Sequence, residues 1–137
     1  MNQTQEENMS PDKLRIMVLD DEPIVCKRLK PALEKLGYEV DTFTQSPEAM
    51  LQIQQTSYDI IITDLKMKEI DGMQFLTEAK KRHPGTEVIV ITGFATMETA
   101  KQSFQKGVFD FIAKPFKLSE IQEVVNQAAA KIRGPAA

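Results

Sequence analysis

Five short apolar runs, separated by longer stretches of helical periodicity, set the pattern of this chain. Residues 14–19 (LRIMVL) form a mostly apolar run that stops at two acids. Residues 58–63 (YDIIIT) and 87–92 (EVIVIT) are similar runs, rich in β-branched residues. Residues 39–43 and 109–113 are weaker examples. Near-continuous apolar runs of this length suit parallel strands buried on both faces.

Helices are predicted between the runs. Over 23–36 the stripe is Val25, Leu29, Ala32, Leu33 and Leu36, with Gly37 available to close the end. Pro31 interrupts this helix, removes one backbone hydrogen bond and predicts a kink. Ser46-Pro47 reads as a helix cap followed by proline at the first helical position. The stretch 71–82 opens on acid and ends in Lys80, Lys81 and Arg82, matching the helix dipole. In 96–106, Met97, Ala100 and Phe104 share a face. In 118–132, Leu118, Ile121, Val125, Ala128 and Ile132 recur at helical spacing before Gly134-Pro135. Five strands alternating with five helices predict an α/β three-layer sandwich on a parallel five-stranded sheet, because right-handed crossovers put helices on both faces. Residues 1–12 are polar and read as a disordered tail, 13–133 as one domain, and 134–137 as a tail or the start of a linker.

Composition adds limits. At 137 residues, 42% hydrophobic and 27% charged, the chain fits one globular domain. A net charge of -3 gives no basic face for phosphate contact, so no direct nucleic-acid binding is expected. No apolar run reaches the roughly 18 residues of a membrane span, and residues 1–12 lack a signal-peptide core. A cytoplasmic location without membrane contact is therefore expected. The single cysteine, Cys26, reads as a small core residue. His83, before Pro84 at a helix end, reads as a surface residue at the C-terminal dipole.

In parallel sheets the working crevice lies beyond the carboxyl ends of the strands. There the chain carries Asp20-Asp21, Asp64, Thr92-Gly93 and Lys114-Pro115. Singly, each has an ordinary reading as a cap or turn. Together they bring three carboxylates, a hydroxyl and an ammonium to one place. Such acids repel unless a cation compensates them, and an oxygen-lined site with open water positions suits Mg²⁺. A metal beside a carboxylate, lysine and hydroxyl fits a phosphoryl group.

With VLDDEP, IIITDLKMKEIDGMQFL, VIVITGFAT and GVFDFIAKPF, the chain resembles the receiver domains of two-component response regulators from residue 14 to about 132. The resemblance implies a flavodoxin-like (βα)5 fold with strand order 2-1-3-4-5. It implies phosphorelay signalling: Asp64 takes a phosphoryl group from a phosphohistidine on a histidine kinase or phosphotransfer protein. Mg²⁺ would be held by Asp20, Asp21, Asp64 and the Lys66 backbone carbonyl, with Asp20 acting mainly through water. Lys114, before an expected cis peptide to Pro115, would pair with one phosphoryl oxygen, and Thr92 would hydrogen-bond another. Thr92 and Phe111 would form a switch read by an output domain or effector on the face of the fourth helix, fifth strand and fifth helix. A phosphorylation-dependent dimer is a further expectation. On this reading the chain is no enzyme beyond catalysing its own phosphorylation and dephosphorylation.

Two positions depart from the commonest pattern. Lys68 replaces a frequent proline, which predicts a more flexible loop, and Phe111 replaces a frequent tyrosine. The stretch GFATMETAKQSFQKGVFDFIAKPF looks most like nitrogen-regulator-type receivers, which often precede an ATPase or sit on hybrid kinases. Lys66 and Phe94 stand two residues after the phosphoacceptor and the threonine. Neither readily orients a water, so they are expected to shield the acyl phosphate. Two competing readings are a phosphorylation-independent receiver-like binding module and a Mg²⁺-dependent aspartate-nucleophile phosphohydrolase. The latter needs an acid two residues after its nucleophile at the first strand, followed by Thr or Val, whereas Asp20-Asp21-Glu22 runs into Pro23.

Overall fold

The computed structural model describes residues 13–134. The tail expected at 1–12 and the last three residues lie outside them. The chain runs β1 (Arg15–Leu19), α1 (Pro23–Glu34), β2 (Glu39–Phe43), α2 (Ser46–Gln55), β3 (Ile60–Thr63), α3 (Gly72–Arg82), β4 (Glu87–Thr92), α4 (Met97–Gln105), β5 (Asp110–Ala113) and α5 (Leu118–Arg133). All strand pairs are parallel, in the order β2-β1-β3-β4-β5. The flavodoxin-like three-layer sandwich is the fold.

Alternation along the strands divides the core. Ile16, Val18, Ile60, Ile62, Ile89, Ile91 and Ile112 pack with Leu29 and Leu33 of α1 and Ile121 and Val125 of α5. Met17, Leu19, Ile61, Val88 and Val90 pack with Ile53 of α2 and Phe75 and Leu76 of α3 on the other face. This is why the strands read as continuous apolar runs: each residue meets a helix layer on one side or the other. Each fully buried side chain of this size contributes roughly 1.5–3 kcal/mol.

Three local readings are corrected. First, α1 ends at Glu34, and Leu36 is exposed in the turn that reaches Gly37 at φ 98°. The stripe stops at Leu33 because the chain must leave the helix to enter β2. Pro31 lies inside the helix, which continues past it, Lys35 N–H donating to the Pro31 carbonyl at 3.0 Å. Second, Ser46 is not the cap of α2. Gln45 holds that position, and the Ser46 hydroxyl is engaged elsewhere. Third, the apolar face of α4 does not enter the core: Met97 is 92% and Phe104 50% exposed, and Ser103 is the buried residue of that helix. A capping box between Thr96 and Thr99 secures its start instead. Cys26 is buried, as its apolar surroundings required. His83 is the half-buried C-cap of α3. Among the described residues no helix is long and apolar enough to cross a membrane.

Candidate functional site

The carboxyl ends of β1, β3, β4 and β5 bring the chemistry together. Asp20 and Asp21 follow β1, Asp64 follows β3, Thr92 ends β4 and Lys114 follows β5. One carboxylate oxygen from each of Asp20, Asp21 and Asp64 lies within 4.8 Å of the others. Asp20 and Asp64 are buried, while Asp21 is exposed. Strand register does this: β1 and β3 pair Leu19 with Thr63, so the next residues on both strands leave the sheet side by side.

Lys114 is the hub. Its Nζ lies 2.6 Å from Glu22 Oε1, 2.8 Å from Asp20 Oδ2 and 2.9 Å from Asp64 Oδ2. Burial alone would lower the basicity of this ammonium. The hydrogen bonds to Asp20, Glu22 and Asp64 outweigh that and hold its pKa above the ordinary lysine value. Asp20 is raised above the ordinary carboxylate value, first by desolvation, with Lys114 and the Glu22 N–H pulling the other way. Three carboxylates thus share one ammonium, and that of Asp21 lies beside two of them.

Asp64 is held from its own loop. Its Oδ1 accepts from the Leu65 N–H at 2.6 Å and, at longer range, the Lys66 N–H at 3.4 Å. Oδ2 faces Lys114. Thr92 is fully buried, and its hydroxyl oxygen accepts from the Phe94 N–H at 3.0 Å. The Lys114 N–H donates to the Thr92 carbonyl at 2.8 Å, and the Lys114–Pro115 peptide is cis. Arg28 of α1 stacks 5.1 Å from the Phe116 ring, fastening the segment after Lys114. Phe111 lies half-buried against the core face of β4. Across the mouth, the Lys66 Nζ sits 5.7 Å from the Phe94 ring centroid, within cation–π range, and joins the β3–α3 loop to the β4–α4 loop.

The all-oxygen donors suit a hard divalent cation. Asp20 Oδ2 supports the fit, being buried with no aligned hydrogen-bond donor and only the ion contact to Lys114. A buried carboxylate oxygen whose one partner is an ammonium shared with two other carboxylates is left with negative charge that a further cation would offset.

Sequence reasoning missed three residues here. Glu22 shares Lys114, and only its place beside the acid pair hinted at this. Gly72, at the start of α3, lies against the backbone of Asp64 and Leu65. Ser46 grips the loop after Asp64.

Residues 16–126 match the response regulator receiver domain family. The transcriptional regulatory protein ZraR of Salmonella typhimurium is 31% identical over 121 residues, 88% of this chain and 27% of ZraR, so the chain spans about a quarter of that relative. The crystal structure of a response regulator receiver domain protein from Clostridium thermocellum superposes with a TM-score of 0.81 at 32% identity, covering 88% of this chain and 97% of that one. The solution structure of the beryllofluoride-activated NtrC4 receiver domain dimer gives 0.81 at 32% identity, covering 86% and 98%. The nitrogen-regulator likeness read in the sequence agrees with these relatives. Family match, fold and clustered strand-end residues converge on one assignment: this chain belongs to the receiver domains of two-component response regulators.

Proposed function

We propose that Asp64 is the phosphoacceptor and that the domain passes a kinase signal to an output partner by changing conformation. One observation carries this reading: Asp20, Asp21, Asp64 and Lys114 meet at the carboxyl ends of β1, β3 and β5 of one parallel sheet. An Asp64 carboxylate oxygen bonds to the phosphorus of a phosphohistidine as the phosphorus–nitrogen bond breaks, and the imidazole leaves with the electron pair. Asp20, Asp21, Asp64 and the Lys66 carbonyl would hold Mg²⁺. When bound, Mg²⁺ supplies positive charge that lowers repulsion between the anionic nucleophile and the anionic phosphoryl group. Lys114 moves from its carboxylate cage toward a phosphoryl oxygen, and Thr92 exchanges its bond with the Phe94 amide for another. The exchange biases Phe111 toward its inward rotamer, a population shift between existing states. Retention of all these groups supports this reading over a phosphorylation-independent binding module.

The receiver unit is residues 13–133, with a tail or linker from 134. Its partners are a histidine kinase or phosphotransfer protein on one side and an output domain or effector on the other. The exposed Met97 and Phe104 support an output surface on α4, β5 and α5, where a phosphorylation-dependent dimer would also form. The domain catalyses only its own phosphorylation and dephosphorylation.

Incubation with acetyl phosphate and Mg²⁺ should add the mass of one phosphoryl group, and Asp64→Asn should abolish the gain. Modification of Asp64→Asn as readily as wild type would refute the reading. The Lys66–Phe94 contact supports slow loss of that group, because an apolar ring and a cation cover the approach of water. Exchanging Lys66→Asn and Phe94→Glu together should speed decay of the phosphorylated protein about tenfold, or about 1.4 kcal/mol in barrier. Decay in the double variant no faster than in wild type would remove the shielding role.

A further inference from the structure

We infer that Ser46 is a positioning residue for the phosphoacceptor site, its hydroxyl clamping the β3–α3 loop from the first turn of α2. The inference rests on the function proposed above and adds a residue from another crossover. Ser46 is 2% exposed. Its Oγ donates to the Lys68 carbonyl at 2.9 Å and accepts from the Ile70 N–H at 3.1 Å. One hydroxyl therefore satisfies a backbone acceptor and a backbone donor two residues apart, using its capacity for both roles.

The loop needs this fastening. Lys68 supplies none of the restraint on φ that proline brings. Glu69 stands at φ 69°, a left-handed conformation that side chains disfavour and that surrounding contacts must hold. The far end of the loop is tied by the Gly72 N–H to the Leu65 carbonyl at 2.8 Å. Between that tie and the clamp run Lys66 and Met67, two and three residues after Asp64. A cleft of about 110 Å³ lined by Asp21, Thr44, Gln45, Ser46, Met67 and Lys68 borders the clamp and opens beside the exposed acid. Ser46 and the exposed Asp21 thus line the same cleft. It does not cap its own helix, whose N-cap is Gln45. Loosening the clamp frees the Lys66 carbonyl to turn. The cation should then bind less tightly, while the nucleophile itself is untouched.

The test compares wild-type full chain with Ser46→Ala and Ser46→Thr. Three quantities are read: amide hydrogen exchange at Ile70, an NMR titration with Mg²⁺ alone, and the Mg²⁺ dependence of phosphorylation by acetyl phosphate. Ser46→Ala should speed exchange at Ile70 about tenfold while β3 amides such as Ile62 are unchanged. It should raise the half-saturating Mg²⁺ concentration roughly three- to tenfold and leave the rate at saturating Mg²⁺ within about twofold of wild type. Ser46→Thr, which keeps the hydroxyl, should restore both values toward wild type. A half-saturating Mg²⁺ concentration unchanged in Ser46→Ala overturns the inference, even if that protein melts earlier. So does a Ser46→Thr protein as weak as Ser46→Ala. Should wild type take up no phosphoryl group, the phosphoacceptor reading fails, while the exchange and titration still judge the clamp.

Discussion

Gly72→Ala should destabilise the domain by about 3–5 kcal/mol, toward the upper end of single-residue effects. A Cβ at this position would lie 2.0 Å from the Asp64 carbonyl oxygen and 2.5 Å from the Leu65 Cα. Both are backbone atoms, so no rotamer change relieves the overlap. The first turn of α3 cannot simply retreat either. Asp71 caps it by accepting from the Gln74 N–H at 2.9 Å, and the Gly72 N–H is bonded to Leu65. Relief must come from moving the chain at Asp64, where β3 ends. The loss is large against a total stability of about 5–15 kcal/mol. Gly85→Ala is the control, because a Cβ there meets nothing within 4 Å. Denaturant melts of the two variants should separate by most of the stated amount. A Gly72→Ala protein within about 1 kcal/mol of wild type would show that the close approach carries no strain. Phosphoryl uptake by the folded fraction of Gly72→Ala should fall as well, since the same shift displaces the Asp64 carboxylate.

Lys114→Met should cost about 3 kcal/mol in the absence of divalent cations, and millimolar Mg²⁺ should recover much of it. The lysine side chain is only 14% exposed, and it contacts one fully buried carboxylate and one nearly so. Removing one partner of a buried ion pair leaves an uncompensated charge, which costs more than the pair itself was worth. Two signs follow for pH. The Lys114 ammonium has its pKa raised above the ordinary 10.5, so its contribution is complete below that value and is lost only as pH rises through the raised one. The Asp20 carboxyl is also raised, above the ordinary 3.8, by burial first. An acid raised in the folded state favours folding below 3.8 and loses that advantage as pH climbs. The variant's deficit should therefore be steady through neutral pH and shrink as pH falls toward 3.8. Thermal melts of both proteins, with chelator and with Mg²⁺, measure it. A deficit unaffected by Mg²⁺ would mean that lost packing of the lysine stem, not charge, sets the cost.

Much of the molecule was legible as a string of residues. Apolar runs of four to six residues against helical periodicity gave the alternation. β-branched strands without polar interruption gave the parallel, doubly covered sheet. Acids, threonine and lysine immediately after those runs located the site before any distance was known, because a strand's end is set locally by where its apolar run stops. The kinds of chemistry were legible for the same reason: a cluster of oxygen donors with one ammonium has few uses.

Other features lay beyond that reading, and they share a physical cause. Lys114 meets Glu22 across 92 residues and Asp64 across 50, and Ser46 meets Lys68 across 22. Such pairings depend on strand order and register, which periodicity does not encode. Ser46 sat at a position that local rules assign to a cap, and a loop from a neighbouring crossover claimed its hydroxyl. Gly72 resembled any glycine after an acid until the approach of α3 to the Asp64 backbone left no room for a side chain. The face of Met97 and Phe104 had the spacing of a core stripe, yet it is substantially open to solvent. Local sequence determined which elements form and which residues end the strands. Only packing the helices onto a sheet of one strand order decided which ends touch, which hydroxyl clamps which loop and which apolar face stays open.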